Sequence, residues 1–406
     1  MGSISKCQKL YKEQDDKQSK DRISNLPSSV IGRILSLLPT KYAVATSVLS
    51  TRWKQLWALI TSLDFDDKLL IHHGRSANDS VQLSFTNFVY RVLVIHRVSF
   101  VHVFRLHCDQ TYDVSHVNTW VAASLVCGVQ ELNLSIQTKK GTDHVLPQDL
   151  FACGTMVKLQ IDAEFVLSVP TKVRMQRLKI LHLDGVEFRD DDSIYRLING
   201  CRPVLDELKM NTCVGEHVRS VHIFAPVLTK LSLYWLGYSK RSMYEVVLDC
   251  PALQYLQLYD DIELVEGYVV KNLSHLIEAN IGLRGPCGPF SVEDREIFSK
   301  IVTDLLMGIS SVRCLYLEND FIGAAMMIVG IRLRRCLRVL AVHLKVIEIN
   351  CFGGSDEELK MLEYFLKNGE VLEKVVLRSE NIEDVEVLKT LLRLPRVSKI
   401  CQIECV

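Results

Sequence analysis

The chain has 406 residues, 48% hydrophobic and 24% charged, which is long enough for two or three domains with a large core and too apolar for a disordered or fibrous protein. Lys plus Arg and Asp plus Glu stand at 48 each, and no basic block interrupts the mixture, so a nucleic-acid coat is excluded. The longest uncharged apolar run, FIGAAMMIVGI at 321–331, is too short to cross a bilayer, and the polar opening lacks the apolar heart of a secretory signal, so a protein of the cytoplasm or nucleus is expected.

Residues 1–20 read as a disordered tail, mixed in charge and short of apolar anchors. A different regime opens at Leu26. In LPSSVIGRILSLLP the apolar residues Val30, Ile31, Ile34, Leu35, Leu37 and Leu38 recur at helical spacing after Pro27, with Ser28 and Ser29 available to serve the free N–H groups, and Pro39 stops the helix. Thr40 can cap a second short helix in which Ala43, Val44, Ser47 and Val48 share a face. Ser50 can cap a third that carries Trp53, Leu56 and Trp57 at i, i+3 and i+4. Three helices this short enclose little apolar surface, so the unit is expected to dock on something.

Over residues 21–67 this stretch resembles the F-box of plant F-box/leucine-rich-repeat proteins. The match rests on the Leu26–Pro27 opening, the LLPTK turn at 37–41, the SVLSTRWKQLW run at 47–57 and the LDFDD exit at 63–67. Tyr42 departs from it, standing where an acidic residue is common in the family. The resemblance implies docking on the Skp-type adaptor of a cullin–RING ubiquitin ligase, through Leu26, Pro27, Ile31, Ile34, Leu38 and Val44, with Trp53 and Trp57 holding the helices together and touching the partner.

From about residue 100 to 320 a recurrent LxxLxL appears: VQELNLSI, MVKLQI, LKILHL, LDELKM, LTKLSL, LQYLQL and VRCLYL. The middle leucines Leu132, Leu159, Leu181, Leu208, Leu231 and Leu256 are about 22 to 27 residues apart, the leucine-rich-repeat period. Each LxL predicts a short strand with its leucines inward, stacked into one parallel sheet, so Leu181, Leu208, Leu231 and Leu256 are expected to be buried. The intervening residues point outward by the same period of two, which nominates His182, Lys209, Ser232 and Gln257 as a row of substrate-binding positions on the concave face. The usual turn asparagine is mostly absent, so the repeats are irregular.

GPCGPFSVEDREIFSK at 285–300 breaks the spacing with Gly and Pro and is read as a surface insertion that runs into a helix. The AAMMIVG run that follows matches no repeat. Residues 337–406 then give a strand, a Gly-Gly turn, a helix capped by Ser355 with Glu358 at the capping-box position, and another strand. Leu359, Leu362, Tyr364, Phe365 and Leu366 supply the buried side of that helix, and Gly369 ends it. This segment resembles the FBD domain of plant F-box proteins, in LKVIEI, YFLKNGEVLEKV and LPRVSKICQIE. The predicted fold is therefore α/β: an N-terminal three-helix F-box, an irregular leucine-rich-repeat solenoid and a C-terminal FBD domain.

No catalytic signature stands out. HExxH, GxSxG, GxGxxG and the P-loop are missing, and the thirteen cysteines form no CxxC pair, so reduced thiols are expected, with Cys201, Cys213, Cys250 and Cys314 as small buried hydrophobes. The adjacent His72 and His73 fit a solvated loop. Asp64, Asp66, Asp67 and Asp190 to Asp192 could hold a cation but fit solvated turns better. No cofactor is implied. The combined pattern implies a non-catalytic substrate-recognition subunit of an SCF-type ligase that works by proximity, with the repeats and FBD holding a protein substrate. Two alternatives stay open: a scaffold outside any ligase, and a receptor whose repeats need a small ligand first. A chain lacking residues 1–67 is expected to keep the substrate while losing the adaptor.

Overall fold

The computed structural model describes residues 26–70, 78–137, 146–215, 217–234, 243–285, 292–318, 321, 330–379 and 385–406. The expected N-terminal tail and the His72–His73 pair lie outside them.

Helices α1 (Ser28–Leu35), α2 (Thr40–Ala45) and α3 (Trp53–Leu56) form the N-terminal unit, the last two each running into a single 3-10 turn. Pro27 and Pro39 occupy the N-cap positions of α1 and α2 in extended backbone, and no side chain caps either helix. Ser28, Ser29 and Thr40 thus do not serve the helix ends as expected. The Thr40 hydroxyl instead accepts the Asp64 N–H at 2.7 Å, tying α2 to the first strand. Ser50 does accept the Trp53 N–H, at 3.4 Å.

Strand β1 (Ser62–Asp66) follows at once, and with it the sheet begins inside the LDFDD exit rather than near residue 100. Leu63 and Phe65 alternate inward while Asp64 and Asp66 do not. Behind β1 come α4 (Asn78–Ile95), β2 (Val103–Cys108), α5 (Val114–Val126), β3 (Glu131–Ile136), β4 (Lys158–Leu167), β5 (Ile180–Phe188), α6 (Asp191–Cys201) and β6 (Glu207–Asn211). Then come β7 (Ser220–Phe224), β8 (Lys230–Tyr234), β9 (Tyr244–Asp249), β10 (Tyr255–Asp261), β11 (Val265–Lys271) and β12 (Glu278–Arg284). The chain continues through α7 (Val292–Gly308), β13 (Cys314–Glu318), α8 (Gly330–Ala341), β14 (Val346–Asn350), α9 (Asp356–Asn368), β15 (Lys374–Leu377), α10 (Val385–Arg393) and β16 (Gln402–Cys405).

Thirteen of these strands make one parallel sheet in the order β1-β2-β3-β4-β5-β6-β8-β10-β12-β13-β14-β15-β16. The repeat leucines stand in register: Leu159, Leu181, Leu208, Leu231 and Leu256 pair across neighbouring strands, and Leu181, Leu208, Leu231 and Leu256 are 0–1% exposed. The ladder runs on without a break through Ala279, Leu315, Ile347 and Val375, so the FBD segment continues the repeat sheet as further rungs.

Behind the main sheet lies a second layer in which helices alternate with strands. Strands β11-β9-β7 form a parallel three-stranded sheet there, flanked by α6 against β7 and α7 against β11. Buried Phe298, Ile301, Val302, Leu305 and Leu306 line α7. The segment read as a surface insertion therefore supplies the backing helix between β12 and β13: it carries an apolar stripe that a surface excursion has no use for. The AAMMIVG run, expected to match no repeat, lies outside the described residues except for Gly330; α8, which starts there, buries Cys336, Leu337, Leu340 and Ala341. In α9 the capping box is present. The Glu358 carboxylate takes the N–H groups of Ser355 (2.7 Å) and Gly353 (3.0 Å), and Met361, Leu362, Phe365 and Leu366 are buried while Leu359 and Tyr364 are half-buried. Gly369 ends α9 with φ −86°, outside the left-handed region; a Cβ there would lie 2.8 Å from the Phe365 carbonyl oxygen, so close approach selects glycine.

The two layers are joined at Asp260, at the end of β10. Its fully buried carboxylate accepts the Tyr244 hydroxyl of β9 at 2.7 Å and the Tyr268 hydroxyl of β11 at 3.0 Å. Burial pushes the Asp260 carboxyl up to about 7, against the lowering effect of those hydroxyls. An acid raised in the folded state contributes stability that is complete below its unfolded value near 4 and is lost as pH rises through about 7. Denaturant unfolding of the wild type and Asp260→Asn should therefore diverge between pH 4 and 7, the wild type losing stability relative to the variant. A difference independent of pH across that window would mean that Asp260 titrates as it does in the unfolded chain.

All cysteines among the described residues are free thiols. Cys201, Cys213 and Cys250 are 0% exposed, and burial pushes the Cys201 and Cys250 thiols up to about 12. Cys314 departs from the expectation, since it is half-buried on the outward side of β13, in register with Glu278 and Val346. Alkylation at pH 8 under native conditions is expected to modify the exposed Cys351 and Cys405 and to spare Cys201 and Cys250, as read by peptide mapping.

Candidate functional site

Two surfaces stand out. The first is on the N-terminal helices. Ile31 and Leu35 turn inward to meet Ala43, Trp53, Leu56 and Trp57, all 6% exposed or less. Val30, Ile34 and Leu37 fall at i, i+4 and i+7 on the neighbouring side and remain 42%, 41% and 81% exposed. Val48 and Leu49 extend the exposed apolar set from the turn after α2. The Arg52 guanidinium donates to the Leu26 carbonyl at 2.6 Å and to Ser28 Oγ at 3.2 Å, fixing the entry segment beside this patch.

Of the residues nominated for this surface, Pro27 and Ile34 are exposed and Leu26, Leu38 and Val44 are half-buried. Ile31, Trp53 and Trp57 are core residues, 0%, 4% and 6% exposed. Val30, Leu37, Val48 and Leu49 were not nominated; the i, i+4, i+7 spacing along α1 and into the turn after it was the signal for the first two. Val48, expected to share a face with Ala43, is exposed while Ala43 is buried.

The acidic exit is structural. Asp67 is fully buried and its carboxylate accepts the N–H groups of Asp109 (3.1 Å) and Gln110 (2.9 Å) and the Tyr112 hydroxyl (3.1 Å). It pins the end of β1 to the turn after β2, which corrects its reading as a solvated turn or cation ligand: three donors satisfy it. Asp190 caps α6 through Ser193 N–H, and Asp191 accepts the N–H groups of Arg219 and Ser220. Among the described residues no three His, Cys, Asp or Glu side chains converge as metal ligands, and no helix is long and apolar enough to cross a membrane.

The second surface is the outward side of the main sheet. His182, Lys209, Ser232 and Gln257 do form one row, each in register with the next. The row extends to Asn280, Tyr316 and Glu348 on one side and to Gln160, Asn133, Arg105 and Asp64 on the other. His182 Nε2 lies 2.6 Å from Glu207 Oε1.

A parallel row carries aromatic side chains. The Lys209 ammonium sits 5.3 Å from the Tyr234 ring centroid, and Tyr234 stacks on Tyr259 at 5.5 Å with planes 6° apart. A Cβ on Gly282 would come 2.5 Å from the Tyr259 ring, so glycine is what lets that ring lie flat across β12. The Tyr259 hydroxyl is 2.9 Å from Asn280 Oδ1 and 3.1 Å from Glu318 Oε1, which Asn350 also reaches at 3.1 Å. Burial, then the Glu318 charge, pushes the Tyr259 phenol up to about 12. The half-buried Tyr234, Tyr255, Tyr259 and Tyr316 were missed in the sequence because each occupies the slot next to a leucine that any polar residue can fill.

Known families match along the chain in the same order. The F-box domain profile covers residues 23–62, that of the LRR repeats of "FBD-associated F-box protein At5g56370" covers 117–227, and the FBD profile covers 338–377. The F-box/LRR-repeat protein At3g59200 of Arabidopsis thaliana is 32% identical over 377 residues, 89% of this chain and 69% of that protein. From the same plant, FBD-associated F-box protein At4g10400 is 33% identical over 264 residues (65% and 61%). F-box/FBD/LRR-repeat protein At4g26340 is 31% identical over 296 residues (72% and 67%). The chain thus spans 61 to 69% of the length of these relatives. With an F-box profile at the N-terminus, an LRR profile over the leucine ladder, an FBD profile near the C-terminus and a relative 32% identical across 69% of its length, the chain belongs to the plant F-box/LRR/FBD family.

Proposed function

We propose that this chain is the substrate-recognition subunit of an SCF-type ubiquitin ligase in the cytoplasm or nucleus. F-box domains generally bind Skp-type adaptors, and F-box/LRR proteins generally act as substrate receptors without a catalytic domain of their own. The reading is carried by the exposed apolar stripe Val30, Ile34 and Leu37 on an otherwise packed three-helix unit, a surface that gains by being covered. The adaptor would bring cullin and RING subunits, and the outward side of the sheet would hold a protein substrate. The chain contributes effective concentration, and the assembly supplies the chemistry.

Deleting residues 1–67 is a poor test, because it removes β1 from the sheet and Asp67 from its three donors. The better probe is the full chain with Ile34→Asp and Leu37→Asp. Purified from plant cells treated with a cullin-pathway inhibitor, the wild type should bring down the adaptor, the cullin and substrates. The variant should lose the first two and retain the substrates, which accumulate. Absence of the adaptor from the wild-type sample would favour a scaffold outside any ligase and reject the proposal.

A further inference from the structure

The outward side of the sheet is not neutral. Across its register rows the carboxylates outnumber Lys and Arg, although the whole chain is balanced at 48 each. Most of these acids are already matched across β10 to β14. Arg284 holds Asp261 at 2.8 Å, Arg378 pairs with Glu348, and Glu318 takes the Tyr259 hydroxyl and the Asn350 amide.

Glu278 differs. Half-buried at the start of β12, it is in register with Tyr255 on one side and Cys314 on the other, with Tyr316 two residues along β13. Among the described residues no donor or cation meets its carboxylate. After burial, its charge is the next influence that pushes the Tyr255 and Tyr316 phenols up. Two strands away the same sheet side shows what such tyrosines do when a cation is present, since Lys209 lies over Tyr234.

We propose that Glu278, between Tyr255 and Tyr316, forms a subsite for a Lys or Arg side chain in a basic segment of the bound protein. The carboxylate supplies the counter-charge, the rings supply faces for a guanidinium or ammonium, and the carboxylate excess along the sheet draws in a basic rather than an acidic segment. This rests on the sheet side being the substrate surface, and it specifies the chemistry read there.

The test uses the full chain in complex with its adaptor and two fluorescein-labelled peptides, GSRGSRGSRGS and its counterpart with Glu in place of Arg, followed by anisotropy at two salt concentrations. The arginine peptide should bind and weaken with salt, and the glutamate peptide should not bind. Glu278→Gln and Tyr316→Ala should each weaken arginine-peptide binding by about tenfold. Glu404→Gln removes the same charge from the same sheet side on β16 and should leave binding nearly unchanged. Equal binding by wild type and Glu278→Gln, preference for the glutamate peptide, or no binding of the arginine peptide would each overturn the subsite. Because the adaptor complex is the starting material, its failure to form marks failure of the broader reading instead.

Discussion

Replacing Leu231 with alanine is expected to lower the unfolding free energy by about 2–5 kcal/mol, the range for a leucine removed from a packed core. The upper half of that range applies, for a physical reason. Leu231 is 0% exposed and lies in register between Leu208 and Leu256, whose strands are locked at ladder spacing by backbone hydrogen bonds on both sides. The site cannot collapse to fill the void without breaking them. Because each rung touches mainly its neighbours, the loss should appear in hydrogen exchange at β6, β8 and β10 before it reaches β1 or β16. Ser232→Ala, one residue along on the outward side, should change stability by less than about 0.5 kcal/mol. A Leu231→Ala cost below 1 kcal/mol in denaturant titration would mean that the ladder is not the core.

The second large effect is on binding. Ile34→Asp with Leu37→Asp is expected to weaken adaptor affinity by about a thousandfold, since two apolar anchors at the centre of an interface each carry on the order of 2 kcal/mol when lost. Both side chains are exposed, so the melting temperature should barely move. Ile31→Ala should behave in the opposite way: it opens a cavity against Trp53 and Trp57 and destabilises the helical unit. Titration calorimetry with the adaptor, paired with thermal melts, separates the two. Unchanged affinity in the double variant would exclude this stripe as the docking surface.

The repeats were legible because LxL forces a choice that only one conformation satisfies: leucines two apart lie on one side of a strand and never on one side of a helix. The outward row His182, Lys209, Ser232 and Gln257 came from the same rule and stands in register as read. What escaped depended on neighbours far along the chain. SLDFD alternates as well as any repeat strand, yet its partner is Val103–Cys108, beyond α4, so in the sequence it shows only as the end of a motif. The backing strands SVHIF, YEVVLD and VEGYVVK carry no signal that they stack on one another and not on the main sheet. Nothing in the sequence singles out Asp260, because the hydroxyls of Tyr244 and Tyr268 reach it from two other strands. On α1 the helical period was plain but its phase was not. Whether Ile31 or Ile34 faces the core is decided by where the tryptophans of α3 sit, and that is a tertiary fact.

The seamless stacking of β1 on β2 turns the sheet into a ruler. With strands about 4.8 Å apart, the eight steps from β1 to β12 place Glu278 about 40 Å along the sheet from the N-terminal helices. Asp67, the Thr40 bond and the Lys41 contact to the Leu69 carbonyl leave no swivel at the zero mark. In the proposed ligase a bound protein would be offered to the ubiquitin-charged enzyme at a fixed standoff, and only lysines within the arc left beyond that standoff would be modified. Adding or removing a single rung between β6 and β12 would shift that arc by about one strand spacing, so repeat number, apart from any contact residue, would select which lysine of a substrate receives the tag.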